Sequence, residues 1–557
     1  MTIFRLSLLG AVLFATTQAA LAQQPIGAGG QIQQIPSPPV PERSPPVLPI
    51  PRQAAPPTPV APGATFAVRS LHITGQTRYS EAELIEATDF KPDSTMTLHE
   101  LRTMAWRITN YYNQHGYFVA RAYLPPQDIT DGNVTIAVIE GHYGKVNLNN
   151  RSNVSNGLLG SVLDGVNTGD LVATDPLERR LLIISDMPGI NVDSTLAPGT
   201  AVGTSDLTVG VTQGPRIDGS VEADNWGNPY TGTYRVGGTI NYNEPLGLGD
   251  VLSLRTLDST DGGMYYGRAS YQAQVQDATV GVALTGFRYH LSKQFTPLDA
   301  NGSEEIASIY ASYPLIRSYD NNLNLLGDFD ERLFQDNIGI SSTSARKRAS
   351  VVIVGINGDH HDMFGGGGWT NYYVAGTFGD LDIETAAARA ADAATARTNG
   401  AYAKLSASVS RLQHLFGPLS VYGAIRGQVA SKNLDISEKM ELGGATGVRA
   451  YPEGEAYGDQ GYIATVEPRL LLPTPANWLG QIQLIAFVDT GYVTVSKTPF
   501  TAGNNGISRT GAGAGFIWSD TDDFVVTATY AHSIDGNTAT SYPVRSGQVW
   551  VQLTKFF

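Results

Sequence analysis

No cysteine occurs anywhere in the 557 residues, which excludes a disulfide framework and any thiolate zinc site. Long apolar runs are also missing. Beyond the N-terminal stretch nothing approaches the roughly 18 to 20 apolar residues of a membrane-spanning helix. That excludes helical spans but not a β-barrel, whose strands are short and only alternately apolar. Positive charge is scarce: 37 Lys and Arg stand against 51 Asp and Glu, a net charge of −14, so the basic stripe that nucleic acid requires is absent. Catalytic signatures are absent too, with no Gly-x-Ser-x-Gly elbow, phosphate loop or His-Glu-x-x-His, so neither an enzyme nor a cofactor is expected. Metal ligands crowd only at His360-His361-Asp362. Adjacent side chains of an extended segment point to opposite faces, so the triplet reads as a turn and no metal is expected. Glu453 and Glu455 read as solvated loop carboxylates.

What is present divides the chain into five parts. Arg5, the apolar residues 6–15 and Ala20-Leu21-Ala22 have the charge, core and small-x-small site of a secretory signal peptide over residues 1–22; an uncleaved anchor is disfavoured because the apolar run is short. Residues 23–64 are dense in proline, as in Pro36-Ser37-Pro38-Pro39-Val40-Pro41, and read as an extended linker with no helical period. Residues 65–141 form an αβ module. A strand is expected over 68–74 and a short helix after Ser80. A longer helix is expected over 98–115, with Leu101, Met104, Ala105, Ile108 and Tyr111 or Tyr112 on one face, then strands over 117–124 and 134–139, the order β-α-α-β-β. Residues 142–213 repeat that order, with helices near 155–163 and 175–185.

From 214 to 557 strict alternation takes over. Tyr265, Gly267, Ala269, Tyr271, Ala273 and Val275 interleave with polar neighbours, and Tyr234, Val236, Ile240 and Tyr242 do the same. A face of Tyr, Gly, Ala and Val suits a lipid-facing wall with aromatic girdles around a wet lumen better than a sandwich core. The last strand sets Val549, Val551, Leu553 and the terminal Phe557 on one face. Counted from Arg216, the junctions at 243–250, 313–318 and 359–365 are even-numbered and expected on the periplasmic side. Those at 224–232, 383–398 and around Arg449 are odd-numbered and expected outside.

The most informative stretch is the turn-rich loop of about 443–461, carrying Val448-Arg449-Ala450-Tyr451, followed downstream by an acid in an apolar strand, Phe487-Val488-Asp489-Thr490-Gly491. This pairing resembles the lid loop and inner-wall strand of the outer-membrane assembly superfamily. Leu124-Pro125-Pro126-Gln127 resembles the first polypeptide-transport-associated (POTRA) domain of two-partner secretion translocators. Ser185-Asp186-Met187-Pro188-Gly189 resembles the second, and the turns at 243–250 and 313–317 resemble that family's barrel. The resemblance implies two periplasmic α+β POTRA domains and a C-terminal transmembrane antiparallel β-barrel of sixteen strands in the bacterial outer membrane. Phe557 would serve as the barrel insertion signal read by the barrel-assembly machinery. Arg449 and Asp489 would pair inside the barrel. An unfolded exoprotein of the adhesin or cytolysin class would be the partner, exported without a nucleotide. Several members of the family carry a plug helix at the N-terminus; the Pro-rich stretch, lacking a helical period, gives no reason to expect one. An assembly factor that inserts other outer-membrane proteins is the alternative, and a passive porin or receptor a more distant one.

Overall fold

The computed structural model describes residues 27–38, 64–475, 478–521, 523–543 and 547–557. The signal peptide and residues 39–63 of the Pro-rich stretch lie outside the described residues.

The first αβ domain is built on two helices with well-satisfied N-termini. Ser80 accepts the Glu83 N–H at the start of Glu81–Ala87, and Thr97 and Glu100 form a reciprocal capping box at the start of Leu98–Gln114. The longer helix buries Leu101, Met104, Ala105, Ile108 and Tyr112 against a three-stranded sheet in the order Ser70–Thr74, Asn133–Ile139, Arg121–Tyr123. It ends where Gly116 takes a left-handed φ of 86°. Two strand expectations need correction. The run expected at 68–74 is two strands separated at Arg69, the first of which, Thr65–Val68, pairs with an unforeseen strand, Ser94–Thr97. The strand expected at 117–124 shrinks to Arg121–Tyr123, because the Ala120 N–H turns back to the Tyr117 carbonyl. In the second domain the sheet order is His142–Arg151, Thr204–Gln213, Ile190–Pro198, covered by helices Asn156–Leu163 and Thr174–Ser185.

Glu140, buried between the two domains' sheets in sequence, ties the first domain together. Its carboxylate accepts the backbone N–H groups of Thr77 at 2.7 Å and Arg78 at 2.8 Å, and the Tyr112 hydroxyl at 2.7 Å. Burial pushes this carboxyl up, but the hydrogen bonds from Thr77, Arg78 and Tyr112 together outweigh it, and the net shift is downward. A lowered folded value means the contribution is present above the unfolded pKa and is lost as pH falls through the folded one. Glu140→Gln is therefore expected to destabilise the first domain by about 2 kcal/mol at neutral pH. The difference from wild type should shrink below the ordinary glutamate range. Hydrogen exchange of residues 65–141 in the full chain, followed with pH, checks this; a difference that persists unchanged in acid would sink it.

The barrel has sixteen antiparallel strands, from Ile217–Asp224 to Gln548–Phe556, closed by pairing of the last strand with the first. Period-two alternation decides which side chains face out. Val236, Ile240 and Tyr242 of the second strand, Arg235–Asn243, with Tyr234 just before it, and Val549, Val551 and Leu553 of the last, lie on the outer surface, whereas Arg235, Glu222 and Asp489 are buried inside. Among the described residues no helix is long and apolar enough to cross a membrane, so the wall is made of strands alone. Phe557 is exposed and tied to the first strand by paired backbone hydrogen bonds with Gly219 at 3.0 and 3.1 Å. The junctions keep the order counted from the sequence, with the long segments at 384–399 and 431–459, but residues 313–317 and 359–362, His360-His361-Asp362 among them, continue the sixth and eighth strands, Ala300–Arg317 and Thr343–Asp362, rather than turning.

The N-terminal expectation fails where it can be seen. Residues 27–38 sit inside the barrel. Ala28–Ile32 forms a short helix, packed against the strands around Phe287, Tyr289 and Phe334 and against the turn Ile436–Glu438 of the long loop. Five residues of Ala-Gly-Gly-Gln-Ile are too short to show a helical period and too Gly-rich to be helical alone. Tertiary contact makes this turn of helix, so no local signal marked it. One close approach needs its glycine: a Cβ on Gly29 would lie 2.5 Å from the Ser437 Cβ.

Candidate functional site: the lumen loop and the domain joint

The loop 431–459 turns inward and is braced on itself. Met440–Glu441 pairs with Tyr457–Gly458, and the Val448 N–H donates to the Leu442 carbonyl at 2.9 Å. These contacts push the tip against the wall, where Val448, Ala450 and Tyr451 are buried with Leu442, Ile463, Phe487 and Val493. Arg449 is thereby aimed at Asp489. Its Nε donates to Oδ2 at 2.8 Å and its Nη2 to Oδ1 at 2.9 Å, while its own backbone N–H reaches Oδ2 at 3.1 Å. Such a two-pronged pair is among the strongest polar contacts available to a side chain.

Three further residues complete the grip. The Arg449 Nη1 donates to Glu467 at 2.7 Å, the Thr465 hydroxyl to Asp489 at 2.9 Å, and the Trp550 indole N–H to the Arg449 carbonyl at 2.7 Å. The guanidinium carbon lies 3.3 Å from the Phe487 ring centroid, a cation–π contact in a dry setting. Asp489 is completely buried. Glu467 carried a readable signal, an acid within an alternating strand; Thr465 and Trp550 carried none. Tyr451 extends the anchoring to the turn after strand Phe524–Ser533, its hydroxyl donating to Asp535 at 2.6 Å.

Two glycines are set by close approach. A Cβ on Gly491 would lie 2.6 Å from a Leu442 methyl, and one on Gly511 would lie 2.3 Å from the Ala450 Cβ. Gly511→Ala therefore forces the tip back by about 1 Å to restore an ordinary carbon contact of roughly 3.5 Å, with both charges untouched. It is expected to impair export at normal barrel levels, and Ala450→Gly in the same chain to restore it. Failure of the second change to rescue the first would remove this contact from the account.

Glu453 and Glu455 are not solvated. Both are buried, because the loop bearing them is folded into the barrel. Glu453 accepts the Ala445 N–H at 2.9 Å, and Glu455 pairs with Arg509 at 2.7 Å. Burial, together with the nearby Glu441 carboxylate, holds the Glu453 carboxyl well above the usual range.

Leu124-Pro125-Pro126-Gln127 lies in the first αβ domain, apart from this loop. Leu124 packs on that domain's core. The Gln127 amide exchanges two hydrogen bonds of 2.7 Å with the Thr135 backbone. It continues a ladder that two consecutive prolines cannot. The 185–189, 243–250 and 313–318 segments instead meet at one joint between the second αβ domain and the barrel. Asp186 is clamped by Arg317 at 2.7 Å, and Arg179 and Arg180 grip Asp277 at 2.8 and 2.7 Å. The Cβ that Gly189 lacks would meet Asn243 at 2.5 Å. His361 stacks on Trp369 with centroids 5.2 Å apart, and Asp362 pairs with Arg411 at 2.7 Å. Among the described residues no group of three or more His, Asp or Glu side chains could hold a metal.

A closed sixteen-stranded barrel with an apolar outer wall, two αβ domains joined in series to its first strand and a loop folded into its lumen defines a transmembrane β-barrel protein with an N-terminal soluble extension. The chain belongs to the family of haemolysin secretion/activation proteins ShlB/FhaC/HecB, whose family model matches residues 203–516, and residues 66–141 match the ShlB-type POTRA domain. The heme/hemopexin transporter protein HuxB of Haemophilus influenzae strain 86-028NP is 28% identical over 471 residues, covering 83% of this chain and 82% of HuxB. The structure of CdiB from Escherichia coli superposes with a TM-score of 0.72 at 20% identity, over 91% of this chain and 93% of that one. CdiB from Acinetobacter baumannii gives 0.62 at 19% identity, over the whole of both; at these identities the likeness is one of fold. The protein is accordingly an outer-membrane translocator of a two-partner secretion system, with its POTRA domains in the periplasm and a secreted exoprotein as its partner.

Proposed function

We propose that the POTRA domains capture the exoprotein unfolded, by strand addition, and pass it through the barrel with no nucleotide. The supporting observation is the sheet order of the second domain. Among the described residues Ile190–Pro198 is paired only with Thr204–Gln213, so its other edge offers unpaired backbone groups along the strand. Strand addition draws affinity from main-chain hydrogen bonds and so tolerates varied sequence. The cargo class we assign is a large β-helical adhesin or cytolysin, whose folding outside the cell would supply the driving force. In this reading Val448, Arg449, Ala450 and Tyr451, held against Phe487, Asp489 and Gly491, position the lid loop. Phe557 marks the last strand for the barrel-assembly machinery, and lipid covers the outer wall. Transport of an unfolded candidate exoprotein across proteoliposomes containing the full chain, scored by accessibility to protease on each side, tests the reading. Transport without added nucleotide is the expected result; a requirement for one, or no transport of any unfolded exoprotein, would overturn it.

A further inference from the structure

The first three barrel strands carry two guanidinium groups built alike. Arg235 donates Nε and Nη2 to Asp224 at 2.8 and 3.1 Å, and Arg255 donates Nε and Nη2 to Glu222 at 3.2 and 2.9 Å. Both arginines are at least nine-tenths buried, and both acids are fixed on one strand at positions two apart, hence on the same inner face. Each fork leaves one nitrogen, Nη1, for something else. That nitrogen meets a main-chain carbonyl of the N-terminal segment in both cases: Arg235 the Gln34 carbonyl at 3.0 Å, Arg255 the Pro36 carbonyl at 2.7 Å.

The contact is with backbone, at a spacing of two residues. Carbonyls i and i+2 are the ones that any extended chain turns to the same side. A pair of donors so placed reads no side chain. One acceptor beside them is unused: Glu222 Oε2 is buried without a partner, and Pro36 has no N–H to offer.

We infer that Arg235, Arg255 and Glu222 form a sequence-independent binding site for the backbone of a polypeptide in transit, and that residues 34–36 occupy it at rest as a stand-in. The inference rests on the translocator reading. It explains why two charged forks are spent on the main chain of a segment whose Gln31, Gln33 and Gln34 side chains bond elsewhere, to Thr231, the Ile436 carbonyl and Tyr457. A backbone track also suits a cargo of unrelated successive sequences, since each contact is favourable enough to enter and weak enough to leave, as in a conducting pore.

The test uses the full chain in proteoliposomes with Tyr266→p-benzoylphenylalanine, a position whose native ring lies 5.9 Å from the Arg255 guanidinium. Three biotinylated peptides serve as probes: residues 27–38, an unrelated twelve-residue Ser/Thr/Ala peptide, and residues 27–38 with alkene isosteres replacing the peptide bonds after Gln34 and Pro36. The first two are expected to cross-link to similar extents. The isostere peptide should fall about tenfold, as should the first two peptides when Arg235→Lys and Arg255→Lys are combined. Lysine keeps each charge but gathers its donors on a single nitrogen, which cannot reach the acid and the main-chain carbonyl as the guanidinium's separate nitrogens do, and heat-modifiable gel mobility of that variant reports that its barrel is folded. Cross-linking of the native peptide alone would make this a dedicated seat for the N-terminal segment and overturn the proposal. So would a signal indifferent to lysine or isostere, or no cross-link from any peptide. Exoprotein secretion by the wild type is scored separately: its failure counts against the translocator reading, whereas failed cross-linking with secretion intact counts against this site alone.

Discussion

Arg449→Ala is expected to reduce exoprotein in the medium by more than tenfold while the barrel remains inserted at wild-type levels. The substitution strands Asp489, which is completely buried, and removes the donors that Glu467 also uses. Breaking one side of a buried pair of this kind costs about 3 to 5 kcal/mol, most of it the penalty on the partner left behind. The barrel has its own ladder of sixteen paired strands and does not depend on this pair. The loop does, since Arg449 is the charge that fixes its tip to the wall at Asp489 and Glu467. Asp489→Asn should give nearly the same loss, because an amide cannot supply two acceptors to the fork, and Glu467→Gln a smaller one. Immunoblots of medium and of outer membranes at matched barrel levels decide the matter. Wild-type secretion by Arg449→Ala and Asp489→Asn would remove the pair from the mechanism.

Removal of the Glu455 carboxylate is expected to be as costly for a different reason. Its two oxygens accept from Arg509, from the Thr540 and Ser541 hydroxyls and from both of their backbone N–H groups. One carboxylate thus fastens the loop 431–459 to strand Gly506–Asp520 and to the junction after Phe524–Ser533. Glu455→Ala leaves the buried Arg509 charge uncompensated, at about 3 to 5 kcal/mol. External protease should then cut the 534–543 segment in whole cells, and secretion should fall. Arg509→Ala added to Glu455→Ala should recover part of the loss, since the cycle then removes both charges. Equal protease resistance in wild type and Glu455→Ala would contradict the assignment.

These two carboxylates show where local sequence stopped being informative. Asp489 was readable because an acid interrupts an apolar strand, and period-two alternation assigns it to the inner face whatever lies opposite. Glu455 sits in a turn-rich loop with no periodicity, and its sequence is the same whether the loop waves in solvent or folds into a lumen. The same reasoning covers residues 27–38, whose short helix exists only against the strands and the long loop, and Trp550, whose indole bond to the Arg449 carbonyl joins positions a hundred residues apart.

By itself the sequence determined the parts of this protein that rest on local periodicity and chemistry. These are the two helices of each αβ domain, the first of them with the capped start at Ser80, the alternation of the barrel strands, the order of long and short junctions, and the charge pair linking a loop arginine to a strand acid. Tertiary structure alone decided what fills the barrel. Burial of Glu453 and Glu455, the seating of the N-terminal segment on Arg235 and Arg255, and the meeting of three separate segments at the joint with the second αβ domain all depend on closing sixteen strands into a ring. Closure brings the first strand against the last and makes an interior, and no stretch of chain carries the signature of a surface that exists only after the ends have met.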